Sequence, residues 1–308
     1  MGPLTIGLLA GFGLPLQTAI NSSLGKKINS SFLASLISFT LGTIFLALFV
    51  VFTASHLTLT WHFISHQPWW LWLGGFLGVC YLTANIILFP HLGSVQTVLM
   101  PVLGQIIMSM LIDNFGWFHS QQHSLSWLRL LGALIVVGGV YYAVAGSQTP
   151  RKSPVVNERG LNFWRLIGLV AGMLSATQTA INGYLGTLLH SSSQAALVSF
   201  AVGTIVLWLL VPLLEHGYHF SRVQPAQISW WNWLGGLIGG CYVLTNAFLV
   251  PLLGTGLTIV IVLVGMISGS LLLDNFGWLA AVQKKVTFRQ ILGVILLLSG
   301  VVLIKLVG

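Results

Sequence analysis

The pentapeptide QTAIN occurs twice, in LPLQTAINSSLG (Leu14–Gly25) and in SATQTAINGYLG (Ser175–Gly186). Its first residues, Gln17 and Gln178, are 161 positions apart, and with that offset the two halves of the chain align without a gap. About 50 of about 140 aligned residues are identical, including the strings SF-x-x-GTI, W-x-W-LGG and DNFGW. The chain is therefore an internal duplication, and its architecture has to be interpreted as two copies of one unit.

The composition is that of a protein embedded in lipid. Hydrophobic residues make up 56% of the 308 residues and charged residues only 5%, whereas a soluble domain has about 25% charged residues. The net charge of +8 comes from basic residues in the connections between apolar runs, so we expect no nucleic-acid partner. Cys80 and Cys241 occupy equivalent places in the two copies and are interpreted as small buried residues without a disulfide.

Ten apolar runs come close to the roughly 20 residues that a helix needs to cross a bilayer. The sequence therefore predicts an all-α integral membrane protein with ten transmembrane helices and the lipid bilayer as its surroundings. Tryptophans cluster where the third and eighth runs begin, as in an interfacial aromatic belt. The predicted helices are Leu4–Asn21, Phe32–Thr53, Trp69–Phe89, Ser94–Ile112, Trp127–Ala145, Phe163–Asn182, Gln194–Leu214, Trp230–Val250, Thr255–Leu273 and Gln290–Val307.

Each copy holds five of these helices. Residues 1–146 form the first five-helix repeat, residues 147–160 a linker rich in Pro, Ser and charge, and residues 161–308 the second repeat. Because five is an odd number, the second repeat must enter the membrane from the opposite side. Inverted repeats of this kind build secondary transporters, whose substrate site lies between the repeats near the middle of the membrane.

The basic residues give an orientation, because Lys and Arg are enriched in cytoplasmic connections. The odd-numbered connections, with most of the basic residues, are expected in the cytoplasm and both termini outside. These connections hold Lys26, Lys27, Arg151, Lys152, Arg159, Arg165, Lys284, Lys285 and Arg289. The opposite side is assigned only Arg129, Arg222 and Lys305.

The repeated unit resembles the YdcZ-like family of the drug/metabolite transporter superfamily. The resemblance rests on an early Q-x-x-x-N, a span with W-x-G-G-x-x-G and a span that ends in S-x-x-x-D-x-F-G, and it covers both halves. The chain is similar to the fused, antiparallel two-domain form. The resemblance implies an EamA-like fold of ten helices in the inner membrane of a bacterium and a transport activity.

The amides of the two QTAIN motifs are the first candidates for a substrate site. Gln17 and Asn21 are four residues apart and share one helix face, as do Gln178 and Asn182. Polar side chains in hydrocarbon are costly unless they face the bundle or a cavity. Three interpretations stay open: the amides line a central site, they join helices by hydrogen bonds, or they cap helix ends.

Four further candidates form two equivalent pairs. Tyr81 and Asn85 lie four residues apart, and Tyr242 and Asn246 repeat this spacing in the second copy. They could bind a solute or satisfy each other across helices. By contrast, Gln105 corresponds to Met266. Because a small solute has no two-fold symmetry, such a broken position is a candidate for substrate specificity.

Asp113 and Asp274 open the two DNFGW segments. The favoured interpretation is a turn that ends a helix, with Gly116 and Gly277 at positive φ. The rival is a site that couples transport to a proton or cation. Small multidrug exporters of the related superfamily use a membrane glutamate in the first span, where this chain has Gln17 instead. That difference favours an uncharged or zwitterionic substrate.

The sequence favours a secondary transporter or facilitator that moves a small organic metabolite or drug by alternating access. A membrane scaffold or sensor subunit and a channel are the alternatives. An enzyme is not expected, because the spans lack an inward acid pair or a histidine pair. The histidine pairs in the connections are interpreted as solvated, so no metal and no cofactor are predicted. The oligomeric state is left open, and a monomer is compatible with the sequence.

Overall fold

The computed structural model describes residues 2–53, 59–120, 122–146, 158–224, 227–281 and 283–306. Within these residues the chain is all α-helical, with short 3-10 turns and no strand. The predicted linker falls largely on residues 147–157, outside the described residues. The helices are α1 Pro3–Ile28, α2 Ser31–Thr53, α3 Trp61–His66, α4 Leu73–Phe115, α5 Trp127–Gly146, α6 Glu158–Leu188, α7 Ser192–Glu215, α8 Gly235–Phe276 and α9 Phe288–Leu306.

Several of these helices are long and apolar enough to cross a membrane. Among the described residues, six segments reach at least 18 residues with the required hydropathy, and two shorter apolar helices follow. The long segments are Pro3–Ile28, Ser31–Thr53, Trp69–Phe115, Trp127–Ala145, Ser192–Glu215 and Trp230–Leu253. The shorter helices are Ile261–Phe276 and Phe288–Ile304.

Helix α1 continues seven residues beyond the predicted end at Asn21. Pro3 occupies the first turn, where its missing N–H costs nothing. The helix stops at Asn29, which takes the left-handed conformation with φ 51°. Lys26 and Lys27 in the last turn stabilise the negative end of the helix dipole. The prediction was too short because it followed hydrophobicity alone, which ends before this polar but helical segment.

Helix α4 turns back on itself at Gly93. This residue has φ 77° and ψ 175°, a conformation that only glycine adopts readily. A straight helix of 43 residues would be about 65 Å long. Yet the Trp70 and Phe118 rings, at its two ends, have centroids 5.4 Å apart. Two antiparallel segments therefore meet at Gly93, in agreement with the separate third and fourth spans of the sequence prediction.

The two halves of the chain interlock through three main helix pairs, α1 with α8, α4 with α6 and α5 with α9. Glycines allow the closest approaches. A methyl group at Gly11 would overlap the backbone of Val262, and one at Gly265 would overlap the backbone of Leu8. The equivalent approaches join Gly172 to Pro101 and Gly104 to Leu169.

Arg222 lies at the same end of the molecule as Lys27, so its assignment to the opposite side was wrong. It belongs to the connection between α7 and α8. Ser30 donates to Glu215 at 2.5 Å where that connection begins, and Lys27 Nζ lies 3.0 Å from Ser229 Oγ where it ends. The correction adds one more positive charge to the end of the molecule that holds Lys27, which we call the basic end. The opposite end, with Trp70 and Phe118, is called the aromatic end.

Candidate functional site

The first QTAIN motif packs against two glycines of the other half. A methyl group at Gly235 would overlap Asn21 Oδ1, and one at Gly239 would overlap Gln17 Nε2. Asn21 is fully buried and donates from Nδ2 to Ser38 Oγ at 3.1 Å. The four-residue spacing of the amides therefore matches the four-residue spacing of the glycines, so that each amide occupies the gap left by a missing side chain.

The second motif makes the same contacts in reverse. Asn182 donates to Ser199 Oγ at 3.1 Å, and its Oδ1 lies where a methyl group of Gly74 would be. Gln178 Nε2 lies against Gly78. Neither asparagine Oδ1 has a conventional hydrogen-bond donor among the described residues, and each faces a glycine, whose Cα–H can form a weak hydrogen bond. These contacts favour a packing role for Asn21 and Asn182.

The two glutamines differ from the asparagines. Among the described residues, neither Gln17 nor Gln178 makes a side-chain hydrogen bond within the protein, although both are buried. Each amide therefore keeps hydrogen-bonding capacity between the halves, which a bound solute could use.

A second group of polar side chains lies buried where α4, α6 and α8 meet. The hydroxyl of Tyr81 lies beside the side-chain amide of Gln105, and the hydroxyl of Tyr242 lies beside Ser175. Gln105 Nε2 donates to Ser175 Oγ at 3.1 Å, which joins the two halves. We call this group the central polar cluster; its members are Tyr81, Asn85, Gln105, Ser175, Tyr242 and Asn246.

Every member of the central polar cluster is at most 9% exposed. Asn85 and Asn246 lie beside the hydroxyls of Tyr81 and Tyr242, as their four-residue spacing predicted. Asn246 also donates to the backbone carbonyl of Tyr242 at 3.0 Å, whereas Asn85 Oδ1 is buried without a hydrogen-bond donor among the described residues. The cluster therefore consists of hydroxyls and amides, and one of its amide oxygens, Asn85 Oδ1, keeps unused hydrogen-bonding capacity.

The cluster breaks the two-fold relation of the repeats at two positions. Gln105 corresponds to Met266, and its partner Ser175 corresponds to Leu14. The first difference was predicted from the sequence, whereas Ser175 was not. Ser175 lies three residues before Gln178 on the same helix face, and its loss in the first copy was the available signal. The two copies therefore do not contribute the same polar groups to the cluster, as a site for an asymmetric solute requires.

Asp113 forms a buried ion pair at the aromatic end. Arg129 Nη2 lies 3.1 Å from Asp113 Oδ2, and both side chains are at most 5% exposed. Arg129 Nη1 also donates to the backbone carbonyl of His123 at 2.6 Å. Gly116 ends α4 with φ 64°, so the predicted helix-ending turn is confirmed. Arg129 was not identified as the partner, because the pair spans a turn between two helices.

Asp274 lies in the same turn of the second copy, with different neighbours. Gly277 has φ 64°, so this turn is confirmed as well. The residue equivalent to Arg129 is Gln290, which accepts a hydrogen bond from the backbone N–H of Thr287 at 2.8 Å. The carboxylate of Asp274 lies instead beside Ser94 and within electrostatic range of Lys284. Among the described residues, Asp274 therefore has no direct ion pair of the kind that Asp113 has.

Comparison with known proteins decides the family. A family profile described as "Putative inner membrane exporter, YdcZ" matches residues 2–142 and again residues 163–303. The chain belongs to this family. The two matches start 161 residues apart (2 and 163), which is the offset of the QTAIN motifs. The expected YdcZ-like membership and two-repeat form are thus confirmed.

Solved structures support the fold of this YdcZ-family chain. One crystal structure matches over 97% of this chain and 96% of its own, with a TM-score of 0.55 and 15% sequence identity. At that identity the likeness concerns the fold alone. No curated protein matches the chain. The family description makes this protein a membrane transporter by relationship, and the buried polar groups between its halves contain hydrogen-bonding side chains suited to holding a solute.

Proposed function

We propose that this YdcZ-family protein is a secondary transporter that exports a small organic solute across the bacterial inner membrane by alternating access. The observation that carries the proposal is the central polar cluster, because it lies buried between the halves and its polar groups are not two-fold symmetric. Its hydroxyls and amides would hold the solute by hydrogen bonds, and no bond of the solute would be made or broken.

Ten crossings in two inverted repeats, 1–146 and 161–308, are the architecture that we infer, with 147–160 as linker. Two contacts between equivalent residues support it, because residues on a two-fold axis meet their own counterparts. Thr43 and Thr204 hydroxyls are 2.7 Å apart. Phe39 and Phe200 ring centroids are 4.9 Å apart. An axis relating antiparallel repeats lies in the membrane plane.

The orientation follows from the charged end. Lys27, Arg222 and Lys284 lie at the basic end, which we assign to the cytoplasm. Both termini then lie outside. Activity of a C-terminal alkaline phosphatase fusion, which requires export from the cytoplasm, is the expected result, and an inactive fusion would contradict the assignment.

Within the site, we assign Gln105 and the two tyrosines the leading role in binding the solute. Gln17 and Gln178 lie between the halves with free amide capacity and would complete the site as it opens. Asn21 and Asn182 would mainly join helices. Asp274 stays the candidate for coupling to a proton or cation, whereas the Arg129 ion pair gives Asp113 a structural role.

Gln105→Met tests the site, because it installs the residue that the second copy has at this position. A ligand at 100 times its Kd stabilises a protein by about 2.7 kcal/mol. In a thermal-shift screen of metabolites and drugs, we expect solutes that stabilise the wild-type protein to lose that effect in Gln105→Met. The unliganded melting temperature should fall only modestly, because methionine has a similar volume but loses the hydrogen bond to Ser175, which contributes about 0.6–2 kcal/mol.

The matched control is Ser109→Ala, one helical turn beyond Gln105 in α4. Its hydroxyl donates to the backbone carbonyl of Ile106 at 3.0 Å and lies outside the cluster. This variant should keep the ligand-induced shift. Equal loss in both variants would mean that the shift reports general stability, and an undiminished shift in Gln105→Met would exclude the central polar cluster as the site.

A further inference from the structure

Four aromatic rings from both halves of the chain gather at the aromatic end of the molecule. The ring of His119 stacks on Tyr184 with centroids 4.4 Å apart. Trp70 stacks on the same tyrosine at 5.8 Å and meets Phe118 edge-on at 5.4 Å. Trp70 and His119 are 6.3 Å apart. We call these four residues the aromatic vestibule.

An open surface depression of about 500 Å³ borders the vestibule, lined by Trp70, Gly116, Trp117, Phe118 and His119. Trp70 and Phe118 are half-buried and His119 is exposed, so the rings can be reached from outside the bundle. Phe118 and His119 also have φ values of 56° and 58°, in the left-handed region. Leu279, the counterpart of Phe118, has φ 54°, so this conformation belongs to the turn in both copies.

At the basic end of the molecule, the tryptophan equivalent to Trp70 has a cation over its ring. Trp231 corresponds to Trp70, and the ammonium group of Lys27 lies 5.4 Å from the centre of its ring. Lys27 also contacts Ser229 Oγ and Asn232 Oδ1, each at 3.0 Å. The chain thus supplies its own cation to the tryptophan at the basic end.

At the aromatic end, the position equivalent to that of Lys27 has no charged residue. Leu188 stands where the first copy has Lys27. The rings around Trp70 are likewise particular to this end, because Tyr184, Phe118 and His119 correspond to Ser23, Leu279 and Ala280. The replacement of Lys27 by Leu188 thus coincides with additional aromatic rings and an open depression beside Trp70.

We propose that the aromatic vestibule binds the ammonium group of a small solute, in the manner in which Trp231 binds Lys27. Aromatic faces attract ammonium ions without a counter-charge, and aromatic cages recognise quaternary ammonium groups in this way. The buried carboxylate nearest in sequence, Asp113, is already neutralised by Arg129. The site lies at one mouth of the bundle and is separate from the central polar cluster, so it does not rest on the function proposed above.

Choline is a suitable probe, with 3,3-dimethylbutan-1-ol as its uncharged isostere and glycine betaine as a zwitterion. Isothermal titration of the purified protein should give one site for choline and markedly weaker binding of the isostere. Trp70→Leu should weaken choline binding on the order of 5- to 30-fold, the range for losing a cation–π contact. His119→Ala and Tyr184→Ser, which install the residues of the other copy, should weaken it less.

Two tryptophan variants serve as controls. Trp231→Leu, whose ring already carries Lys27, and Trp61→Leu, whose side chain is 81% exposed outside the vestibule, should leave choline binding unchanged. Equal affinity for choline and its isostere, or no binding of choline, would overturn the proposal and make the rings a membrane-interface belt. Binding of betaine as tight as that of choline would indicate zwitterionic ligands. Gln105→Met should not alter this binding, so failure of the central site would be distinguishable.

Discussion

The two DNFGW turns have the same backbone and different chemistry. In both, glycine ends the helix with φ 64°. The aspartate carbonyl accepts a hydrogen bond at 2.8 Å from the backbone N–H of His123 in one copy and of Lys284 in the other. The side chains differ, because only the first copy has an arginine to pair with the carboxylate. The two copies thus keep the same backbone turn, and a single substitution gives the two aspartates different surroundings.

The largest effect is expected when the first turn is made to resemble the second. Arg129→Gln leaves Asp113 buried without its partner. Breaking a buried ion pair by removing one member costs about 3–5 kcal/mol. We expect this variant to unfold at a clearly lower temperature in detergent. The double variant Arg129→Gln with Asp113→Asn should recover much of the loss.

Gln290→Arg is the reciprocal change and should stabilise or leave unchanged the second turn, because Asp274 would gain a direct partner. If Arg129→Gln and Gln290→Arg destabilised the protein by the same amount, this would contradict the assignment of the ion pair to Asp113 and Arg129. It would show instead that any change at this helix start disturbs the packing.

An intermediate effect is expected where the two copies are alike. Gly104→Ala and Gly265→Ala would each bring a methyl group against a backbone oxygen, of Leu169 and Leu8 respectively. Overpacking of this kind typically costs about 1–3 kcal/mol, and the two variants should lose similar stability. Gly138→Ala, with nothing within 4 Å of the added methyl, is the control and should be neutral or slightly stabilising. Unequal losses of stability in Gly104→Ala and Gly265→Ala would contradict the proposed equivalence of the two helix crossings.

The smallest effect is expected from the asparagines. Asn21→Leu and Asn182→Leu each remove one buried hydrogen bond to a serine. Interhelical hydrogen bonds in membranes contribute about 0.6–2 kcal/mol. Thermal unfolding should show modest and similar losses, with any ligand-induced shift retained. Loss of the ligand shift at unchanged stability would move Asn21 and Asn182 from packing to substrate binding.

Much of the fold was predictable because it rests on periodic features of the sequence. The 161-residue repeat, the apolar runs and the glycine pairs that receive the QTAIN amides are all visible in the chain itself. Even the reversal at Gly93 follows from a Pro and a Gly between two apolar runs. Helix ends were less predictable, as α1 shows, because polar helical turns outside the lipid have no hydrophobic signature.

The site was only partly predictable because its partners come from different helices. Gln105 was identified by its difference from Met266, but its hydrogen bond to Ser175 depends on how α4 crosses α6. The pairing of Arg129 with Asp113 and the rings around Trp70 likewise join residues that no spacing rule connects. Sequence comparison of the copies indicates where to look, and packing determines which side chains meet.

The central claim, alternating access to a site between the halves, can be tested without knowing the substrate. Ser175→Cys, in a background with Cys80→Ala and Cys241→Ala, places a thiol in the central polar cluster. A bifunctional maleimide can bridge either mouth, through cysteines at Lys27 and Ser229 or at His119 and Tyr184. Labelling of the central thiol by a membrane-impermeant maleimide is then measured in inside-out and right-side-out vesicles.

We predict that bridging the basic end leaves the thiol reactive only from outside and that bridging the aromatic end leaves it reactive only from the cytoplasm. A central thiol that reacts from both sides at once in the unbridged protein, and loses reactivity only from the side of the bridged mouth, is also expected for a channel. A channel would in addition let the reagent pass into the opposite compartment. A thiol that stays unreactive from both sides in every form would contradict the account and indicate a packed scaffold.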